Sequence, residues 1–211
     1  FKTKKEFISK SKNPDYYLFN STKFKNTAVN NFYPRNKCLV VEALRYNHLK
    51  GQKAKKNNKV LLVGDINFLE NERLLLEFSK ITKKLKKNRI FFKPHPTNSF
   101  KKLKQLSEKY QDINFLDNTK ENSFTDYEFI ICTNGTSAII DCIIINAKYR
   151  IMKFNDLLNL NPLDNNYKNQ VDNADQMYKF IQDKKNLKKA KNILMLDNSL
   201  KKWKNLIINL S

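Results

Sequence analysis

One histidine of the chain is held between two prolines, in the run Lys93-Pro94-His95-Pro96. The prolines fix the backbone on both sides of the imidazole and remove two N–H donors. An imidazole beside the Lys93 ammonium is a suitable clamp for a phosphate group. The competing interpretation is a rigid turn that carries a surface histidine. From the residue types alone, both interpretations stay open.

A second candidate lies forty residues further on, in the run Thr133-Asn134-Gly135-Thr136-Ser137. Gly135 is one of only three glycines, and glycine allows a tight turn and a close backbone approach. A hydroxyl of Thr136 or Ser137 is expected to cap the following helix, whose free N–H groups would then form an anion site. The hydroxyls of Thr133, Thr136 and Ser137 could also bind phosphate or ribose. The alternative is an ordinary cap at a strand-to-helix turn.

Carboxylates accompany both runs. Asp141 lies in the helix predicted over residues 136–146, and Gly64-Asp65 ends an earlier apolar run. The chain contains neither a GxGxxG fingerprint nor a P-loop GxxxxGKS/T, which argues against an ordinary NAD site and a Walker-type NTPase. No pair of aspartates stands in a DxD pattern on a loop. The sequence therefore predicts no metal site and no cofactor.

Short apolar runs alternate with longer amphipathic stretches, and this pattern predicts the elements that position these residues. Strands are predicted at 15–20 and 37–41, with a short helix between them at 22–32. Residues 48–58 lack apolar periodicity and are interpreted as a linker. From residue 59 onward the predicted elements have these bounds: 59–64 (strand), 69–86 (helix), 89–93 (strand), 99–110 (helix), 113–116 (strand), 127–132 (strand), 136–146 (helix) and 149–154 (strand).

The C-terminal part is predicted to contain a polar loop at 155–173 and two or three amphipathic helices within 174–210. The strands before it are continuously apolar, which indicates burial on both faces, as in a parallel sheet. Alternating strands and helices predict an α/β fold with a doubly wound parallel sheet. Such sheets bind ligands at the carboxyl ends of their strands. His95 and Gly135 both follow predicted strands, so we expect them on one rim.

The charge of the chain indicates an anionic partner. Its 211 residues include 41 basic and 20 acidic ones, a formal net charge of +21, and only five of the basic residues are arginine. Nucleic-acid readers favour arginine for bidentate contacts, so no nucleic acid is expected. An anionic membrane surface is more plausible, because each lysine near it contributes about 1 kcal/mol. No apolar run approaches the ~18 residues of a membrane span.

The three cysteines, Cys38, Cys132 and Cys142, show no CxxC spacing and cannot pair evenly. A disulfide framework and a cysteine zinc site are therefore not expected. We expect the chain to be located in a reducing compartment. The chain begins at Phe1, and residues 1–11 lack the apolar core of a signal peptide. We expect a chain whose N-terminal region is missing, located in the cytoplasm or peripherally on the inner face of the cytoplasmic membrane.

The proline-flanked histidine, the run 133–137 and Asp141 together resemble the C-terminal, donor-binding half of GT-B glycosyltransferases of bacterial surface and capsular polysaccharides. They are more distantly similar to CMP-sugar-using sialyl- and Kdo-transferases and to CDP-glycerol glycerophosphotransferases. Residues 40–46 (VVEALRY) look like the segment that leaves the N-terminal domain in surface-carbohydrate proteins. Residues 196–203 (LDNSLKKW) are similar to their C-terminal helix. The resemblance thus covers nearly the whole chain.

The resemblance implies a Rossmann-like doubly wound parallel sheet, as in a GT-B C-terminal domain, with a remnant of the N-terminal Rossmann-like domain. Residues 1–50 would be the end of the acceptor domain and the interdomain linker. Residues 51–190 would form the nucleotide-donor-binding domain. Residues 191–211 would form a C-terminal helix that packs back across the domains.

The resemblance also implies a metal-independent transfer of a sugar from a CMP- or other nucleotide-linked donor to a surface polysaccharide or a lipid-linked glycan. In the related families an His-Pro pair and a Ser/Thr-rich turn hold the nucleotide phosphate and ribose. Lys93, His95 and Pro96 are thereby assigned to the donor phosphate, the run 133–137 to the phosphate and nucleotide, and Asp141 to the ribose. Four further residues are candidates for the cleft between the domains: Glu42, Arg45, Gly64 and Asp65.

Two other interpretations remain beside the transferase. The first is a non-catalytic basic module that binds an anionic membrane or a nucleic acid. The second keeps the GT-B layout but changes the reaction, as in a sugar-nucleotide epimerase, and it predicts turnover without any acceptor. The catalytic base is unassigned in all of these interpretations.

Overall fold

A computed structural model describes residues 14–85, 89–117, 123–133, 135–154, 169–183 and 193–209 of the chain. The strands and α-helices within these ranges follow one another in this order: β1 (Tyr17–Phe19), α1 (Thr22–Asn30), β2 (Cys38–Val40), β3 (Val60–Val63), α2 (Phe68–Thr82), β4 (Ile90–Lys93), α3 (Phe100–Lys109), β5 (Asn114–Phe115), β6 (Phe129–Cys132), α4 (Ala138–Ile144), β7 (Lys148–Met152), β8 (Gln170–Val171), α5 (Ala174–Gln182) and α6 (Lys201–Ile208).

The chain divides into two compact units. The smaller unit comprises residues 1–50 and 190–211, and the larger unit comprises residues 51–189. Asn134 and most of the predicted polar loop lie outside the described residues, as do the predicted helix ends at positions 86 and 210.

The smaller unit contains a parallel strand pair. β1 pairs with β2, and α1 makes the crossover between them. α1 begins where the Ser21 side chain accepts a hydrogen bond of 3.1 Å from the Phe24 N–H, as N-terminal caps do. The predicted linker is wrong at its start, because a 3₁₀ helix covers Leu44–Leu49. Tyr46 and Leu49 are buried in this 3₁₀ helix. The helix is too short for their spacing to produce a periodic apolar pattern in the sequence, so it was not predicted.

The larger unit is built on six parallel strands in the spatial order β5-β4-β3-β6-β7-β8. β3 lies between β4 and β6, and Val63 at its end aligns with Lys93 and Cys132. Later strands are thus added first on one side of β3 and then on the other, as in a doubly wound sheet. This topology confirms the predicted α/β fold with a Rossmann-like parallel sheet.

Helices cover the sheet of the larger unit. α2, α3 and α5 contribute to one apolar core that includes Phe78, Phe92 and Met177. α4 packs against β6 and β7, with Ile139 and Cys142 fully buried. Each fully buried Leu or Phe side chain contributes about 1.5–3 kcal/mol relative to an exposed one. This burial holds the carboxyl ends of the strands in fixed positions.

The prediction of a polar loop over residues 155–173 is wrong at its end. Gln170 and Val171 form β8, which pairs with Ile151 and Met152 of β7. The side chain of Val171 is buried against the core. A two-residue strand at the sheet edge has too few apolar residues to produce a periodic pattern. Residues 155–168 lie outside the described part of the chain.

Candidate functional site

The candidate site lies at the carboxyl ends of β3, β4 and β6. The chain leaves β3 toward β4, and it leaves β6 toward β7 on the opposite side of the sheet. Doubly wound sheets bind ligands in the crevice at this reversal. The loops that line this edge start at Gly64, Pro94 and Thr133, and we call the space between them the switch-point crevice.

Asp65 links two of these loops. Its side chain is buried, and its Oδ2 accepts a hydrogen bond of 3.0 Å from the Thr133 hydroxyl. Its Oδ1 accepts a second hydrogen bond of 3.1 Å from the Asn67 N–H. A buried carboxylate needs such partners, because an unmatched polar group in the interior is costly. Asp65 therefore fixes the loop after β3 against the loop after β6.

Gly135 lies against the same carboxylate. A Cβ atom at this position would be 2.6 Å from Asp65 Oδ2, which is closer than real Cβ atoms approach an oxygen. A Cβ atom at Gly64 would be 2.8 Å from Asn71 Oδ1 and 2.9 Å from the Phe92 ring. Both glycines are therefore required by close backbone approach to neighbouring side chains. This packing makes the floor of the crevice rigid.

Asn71 ties the loop after β3 to the loop after β4. Its Oδ1 accepts a hydrogen bond of 2.6 Å from the Asp65 N–H, and its Nδ2 donates to Asp65 O at 2.9 Å and to Asn98 Oδ1 at 2.9 Å. Asn98 in turn donates its Nδ2 to Ile66 O at 3.3 Å and its backbone N–H to His95 O at 3.0 Å. This network fixes the loop that carries the imidazole.

Sequence analysis missed Asn71 and Asn98, although Asn71 carried a readable signal. It lies on the apolar stripe of α2, three and four positions before the buried Leu74 and Leu75. A polar side chain at such a position must find partners inside the protein. Asn98 lies in a loop and carried no comparable signal.

His95 is oriented by Thr97. Its Nδ1 lies 2.8 Å from the Thr97 hydroxyl and accepts a weaker hydrogen bond of 3.3 Å from the Thr97 N–H. A ring nitrogen that accepts a hydrogen bond carries no proton, so the neutral ring has its proton on Nε2. Pro94 before it is buried and Pro96 after it is exposed. His95 thus offers an Nε2–H donor on a loop held by proline and the asparagine network.

Lys93 and Asp141 interact electrostatically. Burial lowers the pKa of the Lys93 ammonium, and the negative charge of Asp141 raises it in part. The ammonium also lies 4.9 Å from the centroid of the Phe124 ring, in a cation–π contact. A half-buried ammonium interacts more strongly with an anion than one in bulk water. The structure thus brings together the end of β4 and the helix after β6.

The hydroxyl groups in the turn after β6 differ in their hydrogen-bond partners. Thr133 is fully buried and donates its proton to Asp65. The Thr136 hydroxyl accepts a hydrogen bond of 3.2 Å from the Ala138 N–H at the start of α4. Ser137 makes no side-chain capping bond and is exposed. Thr136 therefore caps α4, while the Ser137 hydroxyl faces the solvent.

The two candidate cleft residues of the smaller unit lie in a different setting. Glu42 is 1% exposed, and its Oε1 and Oε2 accept hydrogen bonds of 2.9 Å and 3.2 Å from the N–H groups of Lys202 and Trp203. A carboxylate in this position caps and stabilises the start of α6. Arg45 is exposed, and its guanidinium lies 5.4 Å from the centroid of the Tyr46 ring.

All three cysteines are buried and free of disulfide bonds. Burial and a hydrogen bond with Cys132 raise the pKa of the Cys142 thiol well above its ordinary value. Cys132 and Cys142 are both fully buried and act as apolar packing groups. Across the described ranges, His, Cys, Asp and Glu form no group of three or more that could hold a metal ion. None of the helices described is long and apolar enough to cross a bilayer.

Comparison with known proteins identifies the fold. No protein-family model matches the chain, and no curated protein matches it. The UDP-GlcNAc 2-epimerase from Methanocaldococcus jannaschii is structurally similar, with a TM-score of 0.57 and 11% identity over 93% of this chain and 62% of that one. That epimerase in complex with UDP-GlcNAc and UDP has a TM-score of 0.60 and 13% identity over 93% of this chain and 61% of that one.

The chain spans less than two thirds of the length of these structures. At such low identity the likeness concerns the fold alone. It agrees with the strand order of the larger unit and with the sequence resemblance to GT-B proteins. The chain therefore has a GT-B-like, Rossmann-like α/β fold.

Proposed function

We propose that the chain binds a nucleotide sugar in the switch-point crevice and is the donor-binding part of a glycosyltransferase. The observation that carries this proposal is the convergence of three loops at the reversal of the sheet. Asp65 joins the first loop to the third, and Asn71 joins the first to the second. The similar epimerase structure that contains UDP-GlcNAc and UDP supports the ligand class.

In this proposal Lys93 and His95 bind the donor phosphate. The positive charge of Lys93 and the Nε2–H of the His95 imidazole would stabilise the negative charge that develops on the nucleotide as the sugar leaves. Pro96 would stiffen the loop at the phosphate. The half-burial of Lys93 supports this role, because its ammonium gains most when an anion replaces the missing water.

The turn after β6 would complete the nucleotide site. The backbone of Asn134 and Gly135 and the hydroxyls of Thr136 and Ser137 would bind phosphate, and Asp141 would bind the ribose. Thr133 would act through Asp65, because its hydroxyl proton is already donated to that carboxylate. Gly64 and Asp65 would form the floor below the ligand.

The acceptor in this proposal is a surface polysaccharide or lipid-linked glycan, so the enzyme would work in the cytoplasm, at or near the membrane. Residues 1–50 would belong to the acceptor side of the enzyme and residues 51–190 to the donor side, and residues 191–211 would form its C-terminal helix. Residues 40–46 and 196–203 resemble segments of surface-carbohydrate proteins, which favours transfer over other reactions of the fold.

The second candidate function is epimerisation of a nucleotide sugar. The similar solved structures are UDP-GlcNAc 2-epimerases, and this observation favours it. The two functions differ in one measurable respect. An epimerase converts its nucleotide sugar in the absence of any acceptor, whereas a transferase requires one for synthesis.

The proposed ligand class is tested by thermal unfolding of the chain with CMP, CDP, UDP and their sugar conjugates. A ligand at 100 times its Kd adds about 2.7 kcal/mol, which raises the Tm of a chain of this size by about 5–10 °C. We expect such a shift with one nucleotide and its loss in His95→Ala. The matched control is His48→Ala, since His48 is the other histidine and lies in the smaller unit. No shift with any nucleotide would refute the proposal.

A further inference from the structure

We infer that the larger unit docks on an anionic lipid bilayer through one patch beside the switch-point crevice. The inference deepens the proposed function, since it rests on a lipid-linked acceptor. The patch, here called the rim patch, comprises three exposed apolar residues and three lysines: Ile66, Leu69, Phe100, Lys101, Lys102 and Lys104.

The apolar half of the rim patch is exposed to solvent. Phe100 has 82% of its surface in solvent, Ile66 has 65% and Leu69 has 58%. Single exposed apolar residues are common, but several on one surface mark an interaction site. The rim patch therefore requires a partner that accepts bulky apolar side chains.

Contacts between neighbouring residues bring the two parts of the patch together. Asn98, two positions before Phe100, donates a hydrogen bond of 3.3 Å to Ile66 O. The Lys102 ammonium lies 5.0 Å from the centroid of the Phe68 ring, next to Leu69. The starts of α2 and α3 are thus adjacent. Both helices start at the carboxyl edge of the sheet, so the rim patch borders the crevice.

The basic half of the rim patch lies on α3. This helix contains four lysines and one glutamate, and Lys101, Lys102 and Lys104 follow Phe100 within its first turns. All three lysines are exposed. Exposed lysines around an apolar anchor are the arrangement that binds anionic membrane surfaces.

An apolar groove beside Phe100 enlarges the surface that a membrane could cover. Its volume is about 430 Å³, and its apolar lining comes from Phe100, Leu103, Phe115 and Leu116. Lys104 and Asp117 supply one basic and one acidic residue to the same lining. The surface thus offers apolar contact and positive charge together, which suits a lipid interface.

These observations favour a bilayer over a nucleic acid. The rim patch contains no arginine, and two of its three apolar members are aliphatic residues that cannot stack on a base. Membranes accept aliphatic and aromatic side chains alike, and anionic lipid headgroups attract the positive charge of lysine.

The test is co-sedimentation of the full chain with vesicles of phosphatidylcholine, with and without one third phosphatidylglycerol. We expect binding only to the anionic vesicles. The triple variant Lys101→Gln, Lys102→Gln, Lys104→Gln should weaken it about a hundredfold, from about 1 kcal/mol for each lysine. Phe100→Ser should weaken binding about tenfold, through the loss of the inserted ring.

A charge-matched control lies before β3, at the opposite edge of the sheet from the rim patch, where Lys53, Lys55 and Lys56 are exposed. Their triple change to Gln removes the same charge and should leave most of the binding intact. An equal loss in both triple variants would overturn the inference, because binding would then follow net charge. Binding to single-stranded RNA that is unaffected by Phe100→Ser, without binding to anionic vesicles, would also overturn it.

The nucleotide-dependent Tm shift separates this inference from the proposed function. The rim patch variants should keep that shift while losing vesicle binding. Patch-dependent vesicle binding in a chain that shows no nucleotide shift would refute the donor site and support the docking surface. A nucleotide shift without vesicle binding would refute the docking surface and support the donor site.

Discussion

The buried Asp65 carboxylate accepts a hydrogen bond of 3.0 Å from the hydroxyl of Thr133, a residue 68 positions away in the sequence. Asp65 follows β3 and Thr133 follows β6, the two strands between which the sheet reverses its direction of growth. The bond therefore closes the floor of the crevice in which we place the nucleotide.

This contact predicts a coupled loss of stability. In Asp65→Asn, the side-chain amide N–H would face either the Thr133 hydroxyl or the Asn67 N–H, which are both donors. A buried polar group would then lack a partner, which lowers the free energy of unfolding by about 1–3 kcal/mol. Thr133→Val removes the other partner. Urea unfolding of the two single variants and of the double variant should give a coupling energy of about 0.5–3 kcal/mol, as for residues in contact. Additive losses would contradict the contact.

A second prediction concerns Gly135. Gly135→Ala would put a Cβ atom 2.6 Å from Asp65 Oδ2, and we expect a loss of about 1–3 kcal/mol from overpacking. Asp65→Ala removes the clashing oxygen. Urea unfolding should therefore show that Gly135→Ala costs less in the Asp65→Ala background than in the wild type. An equal cost in both backgrounds would show that the strain lies elsewhere.

Much of this architecture follows from local patterns. The apolar runs of β3 and β6 are continuous and all of their residues are buried, so their burial and the position of their carboxyl ends were predictable. The partnership of Asp65 with Thr133 was not, because it depends on which strands are neighbours. β8 was missed because two residues carry no periodicity. The apolar stripe of α2 signalled Asn71, whose buried amide stands where an apolar side chain is expected.

Glu42 illustrates the same limit over a longer separation. Its carboxylate caps α6, 160 residues further along the chain, and no local pattern indicates such a contact. The sequence resemblance suggested a cleft residue instead. A capping role and a role at a cleft make different predictions.

The third prediction therefore concerns Glu42→Gln. The amide keeps one acceptor oxygen but loses the second and the charge, so we expect a loss of about 0.5–2 kcal/mol, as for other helix caps. Amide hydrogen exchange in Lys201–Ile208 should accelerate, while the nucleotide-dependent Tm shift is unchanged. Unchanged exchange in α6 together with lost nucleotide binding would contradict the capping role.

The fourth prediction concerns Lys93 and pH. Burial holds the pKa of the Lys93 ammonium below its ordinary value, despite the opposing charge of Asp141. Between the lowered pKa and the ordinary one, the unfolded chain binds more protons than the folded chain. The contribution of Lys93 to the free energy of unfolding therefore rises with pH across that window.

We accordingly expect Lys93→Met to remove this pH-dependent rise and to keep the stability at neutral pH, while it abolishes nucleotide binding. The measurements are urea unfolding at pH 7 and pH 10 and the nucleotide-dependent Tm shift. The matched control is Lys148→Met, because Lys148 pairs with Glu128 at 3.0 Å in a largely buried bridge and its loss should destabilise the chain. Equal destabilisation by both variants would contradict the prediction.

The most direct test of the central claim uses the two histidines as reporters. Long-range ¹⁵N–¹H NMR of the imidazoles resolves both rings, because the chain contains only His48 and His95. Without ligand, we expect the proton of neutral His95 on Nε2, as the bond from the Thr97 N–H to Nδ1 requires. On titration with the nucleotide that shifts the Tm, the His95 Nε2 resonance should move while the His48 resonances stay in place. A stationary His95 resonance at saturating nucleotide would contradict the assignment of the donor phosphate to this loop.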